Sequence, residues 1–134
     1  MRIVIQKVTN GKVLFKDEII REINDGHIFY VGIAAEDTEE KLEEYKKWII
    51  KFIEDTKQDA LLLSQFTLFA QFNGKKPSFH NAKNNNEARK MFEKLVDEVK
   101  KNIKTKVESG LFGECLDIIY SSEAVETIYK DFNK

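Results

Sequence analysis

Residues 59–70, DALLLSQFTLFA, decide the fold. The stretch begins with three leucines at 61–63, and an uninterrupted apolar run of this kind is typical of a strand covered on both faces. Polar residues then interrupt the run at Ser64, Gln65 and Thr67. Because an unpaired buried polar group costs roughly 1–3 kcal/mol, these side chains need partners. Two interpretations follow: neighbouring backbone satisfies them, or the strand end offers hydroxyl, amide and N–H groups to a ligand.

Length and composition predict one domain over residues 1–134, with 42% hydrophobic and 34% charged residues, as is typical of soluble globular proteins. No apolar run approaches the roughly 18 residues that a membrane helix needs. The opening MRIVIQKV predicts a first strand rather than a secretion signal. The single cysteine, Cys115, excludes an internal disulfide and favours a reducing compartment. We therefore expect a cytoplasmic protein with no membrane partner.

The charge balance excludes strong, indiscriminate binding to nucleic acid. The 22 basic and 23 acidic side chains give a net charge of −1, and no DNA partner is expected. Local basic clusters have two possible interpretations. They contact phosphates at one place, or they form a solvated charged face. These clusters contain Lys75, Lys76, Lys83, Arg89, Lys90, Lys100, Lys101, Lys104 and Lys106.

The first part of the chain indicates four strands, over residues 2–9, 12–15, 18–23 and 27–34. The dipeptide at 10–11, Asn-Gly, suits the positive-φ positions of a hairpin turn, so the first two strands are predicted to pair. Turn-forming residues at 16–17 and 24–26 separate the later strands. The opening therefore predicts a four-stranded antiparallel meander.

The remainder of the chain predicts two helices and four further strands. Apolar residues spaced by three and four indicate a helix over 38–53, capped by Asp37 or Thr38, and a second helix capped by one of the asparagines at 84–86. The strand in 59–70 and three short ones, over 104–107, 115–120 and 127–130, complete the set. The predicted class is α+β, with mostly antiparallel, barrel-like strands and two helices packed on one face.

The sequence contains no familiar catalytic or metal-binding motif. It has no phosphate-cradling glycine loop, no nucleophile elbow and no paired zinc-binding histidines, so we expect no metal and no cofactor. His27 is predicted to be a structural histidine in a strand, His80 a surface histidine, and Cys115 a small buried hydrophobe. Spacing alone assembles no set of nucleophile, base and orienting group.

Five segments together carry a family resemblance. They are MRIVIQKV at 1–8, SQFTLF at 64–69, GKKPSFH at 74–80, NEA at 86–88 and ESGLFG at 108–113. In this order, and nearly end to end, the sequence resembles D-aminoacyl-tRNA deacylases. The resemblance implies that family's fold and a homodimer with two active sites along the subunit interface. The implied reaction hydrolyses the ester between a D-amino acid and the 3′-terminal adenosine of tRNA, using backbone groups and the 2′-hydroxyl of the RNA.

The resemblance also implies roles for individual residues. It places the catalytic strand end at Ser64, Gln65, Phe66 and Thr67, whose backbone N–H groups would stabilise the oxyanion. Thr67 would be a positioning hydroxyl. Phe112 would stack on the terminal adenine, a contact worth roughly 1–3 kcal/mol, although a core phenylalanine is the alternative. Ala88 would lie near the same pocket, and helix packing would equally explain a small residue there.

The sequence departs from the family pattern at a second signature, N-x-G-P-x-T. Residues 122–127 fall on it, and only Thr127 agrees. Ala124 and Val125 replace the glycine and proline, and their peptide is expected to be trans because a cis bond before a non-proline residue costs about 2.5–4 kcal/mol. Lys7 stands where the family has a bracing arginine and lacks its planar fork. The candidate substrate-binding residues from this comparison are Lys7, Ala124, Val125 and Thr127.

The link at 54–58 is shorter than the hairpin that the family usually carries there, which removes part of one wall of the molecule.

Three functions remain open from the sequence. The first hypothesis is a working deacylase. The second is an impaired paralogue that binds the tRNA 3′ end or adenosine nucleotides without turnover. The third is a dimeric interaction protein with no RNA role.

Overall fold

The computed structural model describes residues 1–123 and 126–133 of the chain. Within these ranges, none of the helices has the length and apolar character needed to cross a membrane. The elements in chain order are β1 (Arg2–Val8), β2 (Asn10–Phe15), β3 (Glu18–Ile23), β4 (Gly26–Gly32), α1 (Glu39–Thr56), β5 (Asp59–Ser64), a 3-10 helix (Phe66–Phe69), β6 (Gln71–Asn73), β7 (Lys76–Ser78), α2 (Asn85–Asn102), β8 (Val107–Ser109), β9 (Asp117–Ser121) and β10 (Thr127–Asp131).

Two sheets organise the molecule. The larger has the strand order β10-β1-β4-β5-β8, the smaller has β3-β2-β9, and β6 and β7 form a separate hairpin. Strands β4, β5 and β8 are parallel, because α1 and α2 carry the chain back to the same edge before the next strand begins. The α+β class is confirmed. The expectation of a barrel is wrong, since the described strands form mixed and antiparallel open sheets.

The predicted four-stranded meander is wrong. β1 pairs with β4 and β10, whereas β2 pairs with β3 and β9, so the chain passes from one sheet to the other at Thr9. Asn10 and Gly11 lie inside β2, and a side chain at Gly11 would contact Ile23 at 3.4 Å. The turn at 16–17 is confirmed, with φ of 50° and 67°, and it joins β2 to β3.

The core has two layers, one on each face of the larger sheet. Both helices pack on one face, and the smaller sheet covers part of the other. In β5, Leu62 faces the helices, while Leu61 and Leu63 face the smaller sheet. All three side chains are buried, with exposed fractions of 0%, 0% and 5%. The prediction of a strand covered on both faces is therefore confirmed.

The helix caps agree with the sequence. Thr38 caps α1 by accepting a hydrogen bond from the Lys41 amide at 3.2 Å, and Asn84 caps α2 by accepting one from the Glu87 amide at 3.1 Å. Asp37, the alternative cap of α1, is buried and pairs instead with the N-terminal ammonium at 2.8 Å.

His27 is a structural histidine in β4, as predicted. Its ring lies edge-on to Phe52 at 5.1 Å and 6.3 Å from Phe29, and only 7% of the residue is exposed. Burial lowers the pKa of His27 below its ordinary value of 6.5, and the nearby Lys7 ammonium adds to the effect. The imidazole is therefore held neutral in the folded protein.

We expect stability to fall as the pH is lowered from 6.5. The unfolded chain takes up a proton at His27 near that pH, while the folded chain resists until its lower pKa is reached. The unfolded state then binds more protons, and this single site contributes at most about 1.4 kcal/mol per pH unit. Urea unfolding between about pH 5 and 8 measures the slope. His27→Phe should reduce it, the same change at the exposed His80 should not, and an unaltered slope in His27→Phe contradicts the prediction.

Candidate active site

A cavity lies where the parallel strands of the larger sheet end. β4, β5 and β8 run in the same direction, so their carboxyl ends meet at one edge of the sheet. Ligands of α/β sheets characteristically bind just beyond such an edge. The cavity there has a volume of about 410 Å³, within the roughly 300–1,000 Å³ usual for small-ligand sites.

The cavity walls come from the ends of these strands, the start of α2 and the segment between β8 and β9. This brings residues from distant parts of the sequence around one space. The lining residues are Tyr30, Val31, Ile33, Leu63, Ser64, Gln65, Phe66, Lys83, Asn85, Ala88, Gly110, Leu111, Phe112, Gly113, Glu114, Cys115, Leu116 and Ile118.

The tip of β5 supplies main-chain donors at this site. The Gln65 amide donates to the Val31 carbonyl at 2.7 Å, which fixes the tip to β4. The chain then enters the 3-10 helix, whose first amides, those of Phe66 and Thr67, have no acceptor within the helix. Within residues 1–123 and 126–133, neither amide donates to another backbone carbonyl. Of the two residues, Phe66 lines the cavity, so its amide can donate to a ligand oxygen there.

Two residues that the sequence did not single out hold this tip in place. Gly32 lets the backbone of the tip approach, because a Cβ there would lie 2.9 Å from the Gln65 carbonyl oxygen and 3.0 Å from Leu68 Cβ. Arg2 donates from Nη1 to the Leu68 carbonyl at 2.9 Å and from Nε to Asp131 at 3.1 Å. The glycine and the arginine thus position the 3-10 helix from β4 and β1.

The structure brings five of the ten predicted site residues together at the cavity. The residues of this group on the cavity are Ser64, Gln65, Phe66, Ala88 and Phe112. Thr67 does not line it, and its hydroxyl donates to the Gln65 side chain at 2.6 Å. Phe112 is half-buried and also packs against Phe92, with ring centroids 6.0 Å apart. Phe112 therefore contributes both to the core and to the cavity wall.

Lys7 lies at the other end of the larger sheet. In the ladder it pairs with His27 near the start of β4, whereas Ser64 pairs with Val31 near the end of that strand. The Lys7 ammonium donates to the Gln58 side chain at 2.8 Å. Within one chain, the lysine and the cavity are therefore apart.

Thr127 lies beside Lys7 rather than at the cavity. Both line a separate shallow depression, and the Thr127 hydroxyl donates to the Gln6 side chain at 2.5 Å. Ala124 and Val125 lie outside the described residues, and so does the peptide predicted to be trans. Of the predicted substrate-binding residues of this region, Lys7 and Thr127 are thus not brought to the cavity by their own chain.

Tyr30 and Lys83 are among the polar cavity residues that the sequence did not assign to the site. Burial raises the pKa of Tyr30, with a further contribution from Tyr120, so its hydroxyl stays protonated and can donate to a ligand. The side chain of Lys83 is only 8% exposed, and its ammonium donates to the Ala35 carbonyl at 3.0 Å and lies 3.7 Å from Glu87. Tyr30 is the only phenol in the apolar run HIFYVGIA, which is the signal that could have found it.

The prediction for Cys115 is wrong, because this thiol is exposed, precedes β9 and lines the cavity. Across the described ranges, His, Cys, Asp and Glu side chains form no group of three or more that could hold a metal ion. The cavity offers main-chain amides, the Ser64 and Tyr30 hydroxyls, and aromatic rings. Such an arrangement can bind a planar ring and polarise a carbonyl next to it.

The fold and the site define a class of small α+β proteins with a cavity at the carboxyl edge of a mixed sheet, lined by main-chain and aromatic groups. Residues 4–129 match the model of the family described as D-Tyr-tRNA(Tyr) deacylase. The chain belongs to this family.

Relatives and a solved structure agree with this assignment. A D-aminoacyl-tRNA deacylase from Aquifex aeolicus is 34% identical over 145 residues, covering 98% of this chain and 97% of that protein. One from Clostridium perfringens is 32% identical over 148 residues, covering 100% and 99%. The solved structure titled c-Myc DNA Unwinding Element Binding Protein superposes with a TM-score of 0.89 at 26% identity, covering 98% of each chain. The family resemblance and the α+β fold class inferred from the sequence are confirmed.

Proposed function

We propose that this protein hydrolyses the ester bond of D-aminoacyl-tRNA and releases the D-amino acid and free tRNA. The observation that carries the proposal is the cavity of about 410 Å³ at the tip of β5, where the SQF segment faces Ala88 and Phe112. Membership of the family supports the same activity. The alternatives that the experiment must exclude are an impaired paralogue that binds without turnover and a dimeric interaction protein with no RNA role.

The cavity can perform this chemistry largely with main-chain groups. The 3′-terminal adenine stacks on Phe112 and places the ester at the strand tip. Water attacks the ester carbonyl carbon, and the oxyanion accepts a hydrogen bond from the amide of Phe66, which lines the cavity. The bond from the carbonyl carbon to the ribose oxygen then breaks. The neighbouring ribose hydroxyl passes its proton to the departing oxygen and takes up the proton that the attacking water loses, so it ends the step as a hydroxyl again.

A second copy of the chain completes this site in our proposal. Val4 pairs with Tyr129 on one side and with Tyr30 on the other, so these side chains share one face of the larger sheet. The smaller sheet leaves part of that face open, where Tyr129 is 57% and Tyr120 43% exposed. Clustered exposed aromatic residues are typical of protein interfaces. A homodimer formed here would place the partner next to Tyr30, which lines the cavity.

The cellular setting follows from the same proposal. The substrate is a tRNA, and the protein acts in the cytoplasm, where its single cysteine stays reduced. The net charge of −1 favours recognition of one RNA end over general binding to DNA. We therefore assign an aminoacylated tRNA 3′ end as its nucleic-acid partner.

The proposal is tested with purified protein and two substrates, D-Tyr-tRNA and L-Tyr-tRNA. We expect release of the D-amino acid to be at least tenfold faster, a difference of about 1.4 kcal/mol between the two transition states. An Ala88→Leu variant should lose release because its side chain fills the cavity wall, while Ala35→Leu, at an exposed alanine, serves as the matched control.

Equal release of the two amino acids would contradict the proposal, and so would the absence of release. If adenosine nucleotides bind without turnover, the protein is an impaired paralogue. If neither binding nor release is observed, an interaction protein without an RNA role remains.

A further inference from the structure

A short β-hairpin stands out from the surface beside the cavity. Among the strands that the structure describes, β6 and β7 pair only with each other, and every residue from 71 to 77 is exposed. Gly74 at the tip has a φ of 67°, and a Cβ there would meet nothing within 4 Å. A projection of this kind buries little apolar surface, so its contribution to the core does not account for its composition.

The amino-acid composition of the hairpin suits the binding of a polyanion. Between Asp59 and Glu87 the sequence contains no acidic residue, although the whole chain has 23. Lys75 and Lys76 stand in this stretch, and in the part of the chain that the structure describes neither forms an ion pair. Phe72 is 66% exposed, the most exposed of the large apolar side chains. Two unpaired ammonium groups beside an exposed ring can contact phosphates and sugars together.

Specific contacts fix the hairpin next to the cavity. The Phe66 ring, which lines the cavity, packs edge-on against Phe79 just beyond β7, with centroids 5.1 Å apart. The Asn81 side chain donates to the Gln71 side chain at 2.9 Å and closes the base of the hairpin. Three strand residues span roughly 10 Å, so a chain leaving the cavity on this side passes within reach of Lys75.

We propose that the β6–β7 hairpin is a binding site for the sugar–phosphate backbone of the RNA that follows the 3′ end, the acceptor stem of the tRNA. This inference rests on the proposed function and assigns a second contact surface to the same substrate. Lys75 and Lys76 neutralise phosphates, and Phe72 packs against an exposed sugar or base. The cavity recognises the terminal aminoacyl adenosine, and the hairpin adds affinity for the full-length RNA.

The test compares a double variant, Lys75→Gln with Lys76→Gln, on two substrates. For D-Tyr-tRNA we expect KM to rise at least tenfold with kcat unchanged. The slope of log KM against log salt concentration should fall by about 1.5, as expected for two lost phosphate contacts. For D-tyrosyl adenosine, which lacks the stem, no change is expected. Lys47→Gln with Lys51→Gln on α1 removes the same charge from exposed positions and should change neither substrate.

Each other outcome overturns the inference. Equal losses on both substrates mean that the hairpin acts through the cavity, and unchanged KM for D-Tyr-tRNA means that the stem is not bound there. If the wild-type protein hydrolyses neither substrate, the proposed function fails separately. In that case, the affinity for uncharged tRNA is compared between the wild type and the double variant. Equal affinities exclude the hairpin as an RNA-binding site.

Discussion

A Gly32→Ala variant should lose at least 100-fold in kcat for D-Tyr-tRNA while it remains folded. The added Cβ would lie 2.9 Å from the Gln65 carbonyl oxygen and 3.0 Å from Leu68 Cβ, closer than ordinary contacts allow. The first of these neighbours is backbone and cannot rotate away, so the strand tip and the 3-10 helix must shift. A misplacement of about 1 Å at a reacting centre costs roughly 100-fold in rate.

Stability is expected to change much less than activity in this variant. Overpacking a buried position costs typically about 1–3 kcal/mol, which a folded domain of this size can tolerate. Single-turnover release with saturating enzyme measures the chemical step, and urea unfolding measures the stability. Thr67→Val is the matched control, because it removes the hydroxyl bonded to the Gln65 side chain at 2.6 Å without adding bulk against the backbone. Thr67→Val should lower kcat by less than tenfold.

Two outcomes would contradict this account. Wild-type activity in Gly32→Ala would show that the tip does not need its present position. A larger loss in Thr67→Val than in Gly32→Ala would show that a side chain, and not the main chain, carries the chemistry.

A Tyr129→Glu variant should be a monomer at concentrations where the wild-type protein is a dimer. Tyr129 is 57% exposed and shares an open sheet face with Val4 and Tyr30. Placing an unpaired carboxylate in a buried contact costs several kcal/mol, and about 3 kcal/mol is enough to weaken association more than 100-fold. Sedimentation equilibrium gives the mass directly, and release from D-Tyr-tRNA should fall with the dimer fraction.

Ile119→Glu provides the control for this variant. Ile119 is 55% exposed, but its neighbour Ile118 packs into the layer between the sheets, so Ile119 points to the outer face of β9. The two substitutions therefore add the same charge at similar exposure, one on the open face of the larger sheet and the other on the outer face of the smaller sheet. A wild-type monomer, or an equal effect of the two variants, would exclude the proposed interface.

Local sequence patterns determined much of this protein. The spacing of apolar residues located α1 and α2, and the capping preferences of Thr38 and Asn84 located their first turns, because both depend on neighbours within one helical turn. The three leucines of β5 indicated burial on both faces, which the structure confirms. The SQF segment, Ala88 and Phe112 were also named from the sequence, and they lie on one cavity.

Only the tertiary structure decided how the strands pair and what positions the site. Asn10-Gly11 favours a hairpin by local conformation, yet β1 is buried in the larger sheet against α1, and β2 is buried as a strand of the smaller sheet, so the two strands do not pair. The importance of Gly32 arises from the carbonyl of Gln65, and that of Arg2 from the carbonyl of Leu68, 66 positions away. Contacts between residues so distant leave no periodic trace in the sequence, because they depend on how packed elements meet and not on the propensities of their neighbours.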